Sequence, residues 1–306
     1  MEYDRPKEVF AFYNVENLLL PDAPPVHKAD PTNSGLRNWD TRKYRQKINK
    51  IAHVAELLLE SEGVLPLLFG FSEIQGREPL SDLLKMPVFQ NYNVVHYPSD
   101  DVRGIDVALF YDRHKIQVLS SKPLRYTEDS EGIPGTRDIL YVRLKFQDLI
   151  LNVYVLHLPS KKEKDANFLL RKRLLMHLAS DLTQNFGDEA MVLMGDFNMN
   201  PDDELFSEIF GINFGKAVFN PFLDLYLENI YSTYHHKNGL LFDQMILSHH
   251  FRQSEFPLKL TSAKVFSHKK LRNAKGNFEH RPARTFAGTR YLGGFSDHFP
   301  VITVLN

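Results

Sequence analysis

The sequence predicts an α/β protein in which helices are layered on β-sheet, and three observations predict it. Residues 9–13, Val-Phe-Ala-Phe-Tyr, form a short and wholly apolar run of β-favouring residues, as a strand buried on both faces requires. Over residues 41–62, Tyr44, Ile48, Ile51, Val54, Ala55 and Leu58 recur at three- and four-residue steps with Lys and Arg between them, the stripe of an amphipathic helix lying on a sheet. Residues 65–71 are a second apolar strand. Strand, helix, strand, each strand running into a polar group, is the outline of a layered α/β unit.

In chain order, the first strand ends at Asn14, with Glu16 and Asn17 just beyond, and the Pro-rich, polar residues 21–38 read as a surface loop. Ser72, Glu73 and Gln75 follow the second strand. Residues 92–97, 105–111, 116–119, 139–146 and 149–156 read as successive strands joined by several short turns, so neighbours in sequence are expected to pair antiparallel. The last leads into His157-Leu-Pro-Ser160, and residues 161–185 then form a charged helix with Leu169, Leu170, Leu174, His177, Leu178 and Leu182 on its inner face. Residues 191–200, Met-Val-Leu-Met-Gly-Asp-Phe-Asn-Met-Asn, are an apolar strand stopped by Gly195, with Asp196 and Asn198 on one face of an extended backbone. That pair offers hard oxygen donors to a divalent ion or a reacting water, and it equally fits an Asx-type turn. A short helical piece at 202–210, a strand at 242–247 bearing Asp243, and a basic stretch at 261–290 lead to Phe295-Ser-Asp297-His298-Phe-Pro and a terminal strand at 301–305. No repeat, low-complexity tract or linker interrupts this order, so residues 1–306 are read as one domain.

Composition narrows the chemistry. Thirty-seven Lys and Arg stand against thirty-eight Asp and Glu, so a polyanion must be held by a local patch and not by the overall field. The absence of cysteine excludes disulfides, thiolate metal sites and cysteine nucleophiles, leaving oxygen and imidazole as metal donors. The amino terminus lacks an apolar signal core and no apolar run approaches spanning length. The expectation is a monomer without a membrane span, cytoplasmic by default, or secreted or periplasmic if a leader has been removed.

The polar residues at strand ends are Asn14, Glu16, Glu73, His157, Asp196, Asn198, Asp243, Asp297 and His298. Each alone has a bland explanation in turn capping or solvation. Together they supply carboxylates and amides for a hard divalent ion, two imidazoles for proton transfer and an acid to orient one of them, the inventory of a metal-assisted hydrolase of phosphate esters. The pieces Phe-Tyr-Asn14-Val-Glu16-Asn, Phe-Ser-Glu73-Ile-Gln, Gly104-Ile-Asp-Val-Ala-Leu-Phe, Asn152-Val-Tyr-Val-Leu-His157-Leu, Gly195-Asp196-Phe-Asn198, Phe242-Asp243-Gln-Met-Ile-Leu and Phe295-Ser-Asp297-His298-Phe-Pro span nearly the whole chain. In this order they resemble the endonuclease/exonuclease/phosphatase superfamily, which holds deoxyribonuclease I-like and exonuclease III-like nucleases, inositol polyphosphate phosphatases and neutral sphingomyelinases.

The resemblance implies a four-layer α/β/β/α sandwich with two central mixed, largely antiparallel β-sheets, and a site where strand ends of both sheets meet. It implies Mg2+ or Mn2+ held by Glu73 as principal carboxylate, with Asn14 beside it and Asp297 and Glu16 as further metal-side groups; Glu16 stands where nuclease members often carry Asp. Asp196 and Asn198 would position or activate the attacking water and hold the phosphate. His298, oriented by Asp243, would be the general base or a donor to phosphoryl oxygens. His157 matches the histidine of deoxyribonuclease-like and phosphatase members, where exonuclease III-like members resemble a tyrosine. Arg137 and Arg284 are candidate phosphate contacts, a guanidinium being able to clamp an oxyanion, or else solvated arginines. Residues 261–290 interleave Lys264, Lys269, Lys270, Arg272, Lys275, Arg281, Arg284 and Arg290 with Phe266, Phe278, Phe286 and Tyr291, suiting either a nucleic-acid wall or a solvated basic loop. The activity expected is metal-dependent hydrolysis of a phosphoester substrate, nucleic acid for a nuclease-like phosphodiesterase. The alternatives are a phosphatase of a small phosphorylated molecule, sugar or lipid headgroup, and a non-catalytic binding module.

Overall fold

The computed structural model describes residues 6–21, 39–101, 103–126, 136–161, 165–185, 189–211, 214–274, 276, 278–288 and 290–306. Most of the expected surface loop at 21–38, and Lys275, lie outside the described residues. In chain order the elements are β1 (Glu8–Leu18), α1 (Thr41–Glu62), β2 (Leu68–Ile74), α2 (Arg77–Leu84), β3 (Tyr92–His96), β4 (Asp106–Asp112), β5 (Ile116–Leu124), β6 (Ile139–Phe146), β7 (Leu149–His157), α3 (Phe168–Asn185) and β8 (Ala190–Asp196). They continue with β9 (Val218–Phe219), β10 (Thr233–His235), β11 (Asn238–Leu240), β12 (Asp243–Ser248), β13 (Leu260–Val265), β14 (Phe286–Ala287), β15 (Arg290–Tyr291) and β16 (Val301–Leu305).

Two six-stranded sheets form the centre, in the orders β13-β16-β1-β2-β4-β3 and β5-β6-β7-β8-β12-β9. Each is antiparallel except for one inner pair: β1 runs parallel to β2, and β7 to β8. A parallel pair needs a long crossover, and α1 and α3 supply the two of them. The alternation of strand side chains then builds the layers. From β1, Val9, Ala11 and Tyr13 pack with Ile48, Ile51, Val54 and Leu58 of α1 in an outer core, while Phe10 and Phe12 turn inward. They meet Val142, Leu144, Val153, Val155, Val192 and Met194 of the second sheet. On its far side, Tyr154, Leu156 and Leu193 pack with Leu174, Leu175, Leu178 and Leu182 of α3. Helix, sheet, sheet and helix are therefore four layers, as expected.

Capping fixes the ends of α1. Asp40 accepts from the Lys43 backbone N–H at 2.8 Å, and Gly63, at φ 78°, donates to the Leu59 carbonyl at 2.9 Å. Such an N-cap stabilises a helix by about 1 kcal/mol.

Four details differ from the sequence expectation. Strands β1 and β2 run on to Leu18 and Ile74, so Asn14, Glu16 and Glu73 lie within strands and not beyond them. Their pairing slips between Asn14 and Leu18 and between Ser72 and Ile74, where Glu16, Asn17 and Glu73 adopt φ of 52°, 54° and 66°. These bulges re-aim side chains at the strand ends, which local sequence does not signal. Helix α3 begins at Phe168, and Leu169 is exposed while Arg171 is fully buried, its guanidinium held by Asp165 and the Pro159 carbonyl. Finally, β4 and β5 do not pair although only three residues lie between them, because the chain crosses there from one sheet to the other.

Sheet-to-sheet and strand-to-strand spacing leaves no room at two glycines. A Cβ on Gly195 would lie 2.2 Å from the Leu156 carbonyl oxygen, and one on Gly70 would lie 2.7 Å from Met194 Sδ. Gly195→Ala is expected to destabilise the protein by about 1–3 kcal/mol, the usual cost of overpacking, read as a lower urea midpoint with an unchanged m-value. An unchanged midpoint would mean that β7 and β8 are not so closely apposed.

Candidate active site

Register brings the central residues together. Within the second sheet His157 of β7 is the partner of Asp196 in β8, and Asp196 is the partner of Asp243 in β12, so three adjacent strands present His157, Asp196 and Asp243 as one row. The first sheet faces this row with Asn14 and Glu73. The inward alternation of Phe10 and Phe12 continues to Asn14, whose carboxamide donates to Asp196 Oδ2 at 3.0 Å and to Glu73 Oε1 at 3.2 Å. The second oxygen of Glu73 accepts from the Asn17 backbone at 2.8 Å. Asn198, at φ 50°, donates its backbone N–H to Asp196 Oδ1 at 2.9 Å and its carboxamide to the Leu158 carbonyl at 2.8 Å.

His298 arrives on the segment ahead of β16. Its backbone N–H is held by Ser296 Oγ at 3.0 Å, and that hydroxyl donates to the Asn14 carbonyl at 2.7 Å. Its Nδ1 lies 2.6 Å from Asp243 Oδ2, which also accepts from Ser232 Oγ at 2.6 Å. Burial disfavours the imidazolium, yet Asp243, Asp297 and Asp196 outweigh it and hold the His298 pKa well above its ordinary 6.5. Asp196 moves the other way: burial first, then Asp243, push its carboxyl up to about 7 against His298, Asn198 and Asn14. Asp297 is partly exposed; its Oδ2 accepts from Arg284 Nη2 at 2.9 Å and its Oδ1 lies 3.9 Å from His298 Nε2.

His157 is buried beside this group, with Nε2 3.6 Å from Asp196 Oδ2 and 3.8 Å from Glu73 Oε1. Arg137 Nη1 lies 2.9 and 3.0 Å from the two ring nitrogens, and its Nε pairs with Asp101 at 3.4 Å. Burial, then Arg137 and Arg103, keep the His157 pKa well below the usual range, so the ring is neutral. Arg137, although lowered to about 10, remains charged at neutral pH, but it sits behind His157 at 7% exposure, where the sequence had suggested direct phosphate contact.

Glu16 is used differently from its neighbours. Its oxygens accept from the backbone of Thr285 at 2.5 Å and Phe286 at 3.2 Å, and burial followed by Asp297 raises its pKa to about 7. Lys47, fully buried, donates to Thr285 Oγ1 and to the Phe295 carbonyl, both at 2.6 Å. Glu16 and Lys47 thus brace the segment that carries Arg284 and Asp297. Sequence reasoning missed Lys47, although its place on the apolar stripe, between Tyr44 and Ile51, was a signal. It also missed the role of Ser296, although that residue lies inside the Phe295-Ser-Asp297-His298 stretch, and missed Ser232 and Asp101, which nothing local distinguishes.

The basic stretch is less available than its composition implied. Phe266 is buried, and Phe286 and Tyr291 pack on the α1 side of the first sheet. Lys264 pairs with Glu62 at 2.9 Å and Arg272 donates to the Ser267 carbonyl at 2.7 Å.

The donor chemistry fits a hard divalent ion. Asp196, Asp243 and His298 offer ligand atoms within 4.8 Å of one another. Asp243 Oδ1 is buried with no hydrogen-bond partner among the described residues. This trio differs from the Glu73, Asn14, Asp297 and Glu16 set implied by the resemblance; with its proton held by Asp243 the His298 ring has no lone pair for a metal, whereas Asn14 joins the Glu73 carboxylate to Asp196.

The fold has solved counterparts. A humanized D. rerio TDP2 superposes with a TM-score of 0.62 at 15% identity, covering 98% of this chain and 99% of that one. A Bacteroides thetaiotaomicron mannosyl-6-phosphatase gives 0.61 at 15% identity over 98% and 99%. The human Nocturnin catalytic domain with bound sulfate gives 0.61 at 15% identity over 99% and 95%. No curated protein sequence matches the chain. The sequence model of the Endonuclease/Exonuclease/phosphatase family matches residues 9–306, nearly the whole length. The chain belongs to the endonuclease/exonuclease/phosphatase family.

Proposed function

We propose that the chain is a divalent-metal-dependent phosphoester hydrolase, and within that class a nuclease-like phosphodiesterase that uses an activated water. The observation that carries the reading is the row His157, Asp196, Asp243 set against Asn14 and Glu73, with His298 closing it. Glu73 and Asn14, with Asp297 at the rim, would hold Mg2+ or Mn2+, which when bound offsets the repulsion between a phosphate anion and an incoming nucleophile. Asp196, with its pKa near 7, accepts the proton of the attacking water. Asn198 holds that carboxylate through its backbone N–H. His298 acts as a cation in this reading: Asp243 takes Nδ1 and leaves Nε2 to donate to a phosphoryl oxygen, and the raised pKa of the ring supports the donor role over the base. His157, neutral and fixed by Arg137, faces the leaving group. Arg284, partly exposed and paired with Asp297 at the rim, is the guanidinium assigned to the phosphate in this reading.

A phosphatase of a small phosphorylated molecule is the second reading. It is favoured by the inward packing of Phe266, Phe286 and Tyr291, which removes rings from any extended nucleic-acid track. A panel of DNA, RNA, bis-p-nitrophenyl phosphate and phosphate monoesters, assayed with magnesium and with a chelator, decides between the two. Hydrolysis of diesters abolished by chelator supports the first reading, and turnover of monoesters alone overturns it.

On the substrate found, His298→Ala and Asp196→Ala are each expected to lower kcat by at least about a hundredfold, the scale of losing one catalytic group. Near wild-type turnover by either variant would remove that residue from the mechanism. Asp243→Asn is expected to bring the His298 pKa down, followed by NMR titration of the imidazole. Because the folded pKa stands above 6.5, the His298–Asp243 pair stabilises the native state fully below that pH, and the contribution fades as pH rises through the folded value. An unmoved titration in the variant would show that Asp243 is not the charge that holds the proton.

A further inference from the structure

Beside the centre lies a groove of about 770 Å³ that the hydrolytic residues do not use, walled by Tyr226, Tyr231, Tyr234, Lys237 and His280. Its two walls are direct continuations of the centre. On one, Ser232 donates to Asp243 Oδ2 at 2.6 Å and Thr233 Oγ1 to the Asp297 carbonyl at 2.7 Å, while the flanking Tyr231 and Tyr234 line the groove. On the other, Asn200, two residues past Asn198, accepts from the Leu241 backbone at 3.0 Å and donates to the Tyr226 hydroxyl at 3.1 Å.

The rings are fixed in place. Tyr226 meets Tyr231 edge to face at 6.1 Å, Tyr231 meets Tyr234 at 5.9 Å, and Tyr234 meets His280 at 5.2 Å. Tyr231 lies against the bare backbone of Gly239, where a Cβ would fall 1.9 Å from the ring. Behind Tyr234, the Arg281 guanidinium sits 4.9 Å from its ring and 4.3 Å from that of Phe278, and donates to the His236 carbonyl at 2.6 Å. No carboxylate is among the described residues that line the groove, and Lys237 is exposed in it.

We propose that this groove is the subsite for a nucleoside attached to the reacting phosphate, with the base against the Tyr231 and Tyr234 rings and Lys237 toward a neighbouring phosphate. Aromatic surfaces accept any base through its π-face, and a lysine supplies a point charge without demanding fixed geometry. A volume within the roughly 300–1,000 Å³ of small-molecule sites accommodates a base and its ribose together. The assignment rests on the phosphoester-hydrolase reading of the adjoining centre and names the substrate class that centre would meet.

The test is a ligand-detected NMR titration of the full chain in chelator buffer with thymidine 5′-monophosphate, mannose 6-phosphate and inorganic phosphate. Thymidine 5′-monophosphate is expected to bind the wild-type chain, and at least about fivefold more weakly in Tyr234→Ala, with Tyr234→Phe recovering the affinity, as loss of base stacking requires; thymidine 3′,5′-bisphosphate, added to carry the neighbouring phosphate, is expected to bind at least about fivefold more weakly in Lys237→Ala. With magnesium, the ratio of kcat/KM for a thymidine dinucleotide to that for methyl p-nitrophenyl phosphate is expected to fall at least fivefold in Tyr234→Ala. Equal weakening of thymidine 5′-monophosphate and inorganic phosphate would overturn the subsite, as would preference for mannose 6-phosphate or no change in either variant. If no phosphoester is turned over by the wild-type chain, the hydrolase reading fails, and the titration still decides the groove.

Discussion

The candidate centre depends on one carboxamide. Asp196 belongs to the second sheet and Glu73 to the first, and Asn14 donates to both. Two carboxylates brought together in a buried place repel each other and lose solvation, a cost that rises steeply where water is excluded. A neutral donor between them satisfies an oxygen on each without adding a charge to be compensated. An aspartate there would add to the repulsion, and a lysine would cancel the negative potential that a divalent cation requires. The same residue is tied through its carbonyl to Ser296, and through Ser296 to the backbone of His298. Position, charge balance and proton transfer thus meet at a side chain that itself carries no charge.

Around Asn14 the backbone departs from regular sheet. Glu16, Asn17, Glu73 and Asn198 all have positive φ, a conformation that costs L-residues free energy and persists where the surroundings enforce it. The enforcement is visible in the hydrogen bonds: Asn17 N–H to Glu73, Thr285 and Phe286 N–H to Glu16, and Asn198 N–H to Asp196. The Asn17 and Asn198 bonds join a bent residue to a carboxylate of the centre, and those of Glu16 tie its bend to the segment that carries Arg284 and Asp297. Behind them Lys47 and Glu16 are both buried and feel each other's charge, burial lowering Lys47 to about 8 and, with Asp297, raising Glu16 to about 7.

Much of this was legible in the chain. The apolar runs marked β1, β6, β7, β8 and β16, and the stripe from Tyr44 to Leu58 marked α1, because burial of a regular element leaves a periodic trace. The Gly-Asp-Phe-Asn and Ser-Asp-His stretches located Asp196, Asn198 and His298 at strand ends. What the chain concealed was set by partners distant in sequence. Asn14 alone reads as a turn former; only the packing of the two sheets turns its amide toward Asp196. The aromatic residues of the 261–290 stretch look like stacking groups, yet Phe266 is buried in the α1-side core and Phe286 and Tyr291 pack against it. Arg137 reads as a surface cation until the fold encloses it behind His157.

The strand that follows His298 has a consequence for how the protein is assembled. β16 pairs with β1 along its length, Leu305 opposite Glu8 and Val301 opposite Phe12, so the first sheet is completed by a contact spanning nearly the entire sequence. Contacts of such separation pay the largest loop-closure entropy and form slowly. His298, three residues ahead of Val301, reaches Asp243 once that pairing is made. Without β16 in its place between β13 and β1, the row of His157, Asp196 and Asp243 would lack His298, so the centre is complete only where the two ends of the chain are paired.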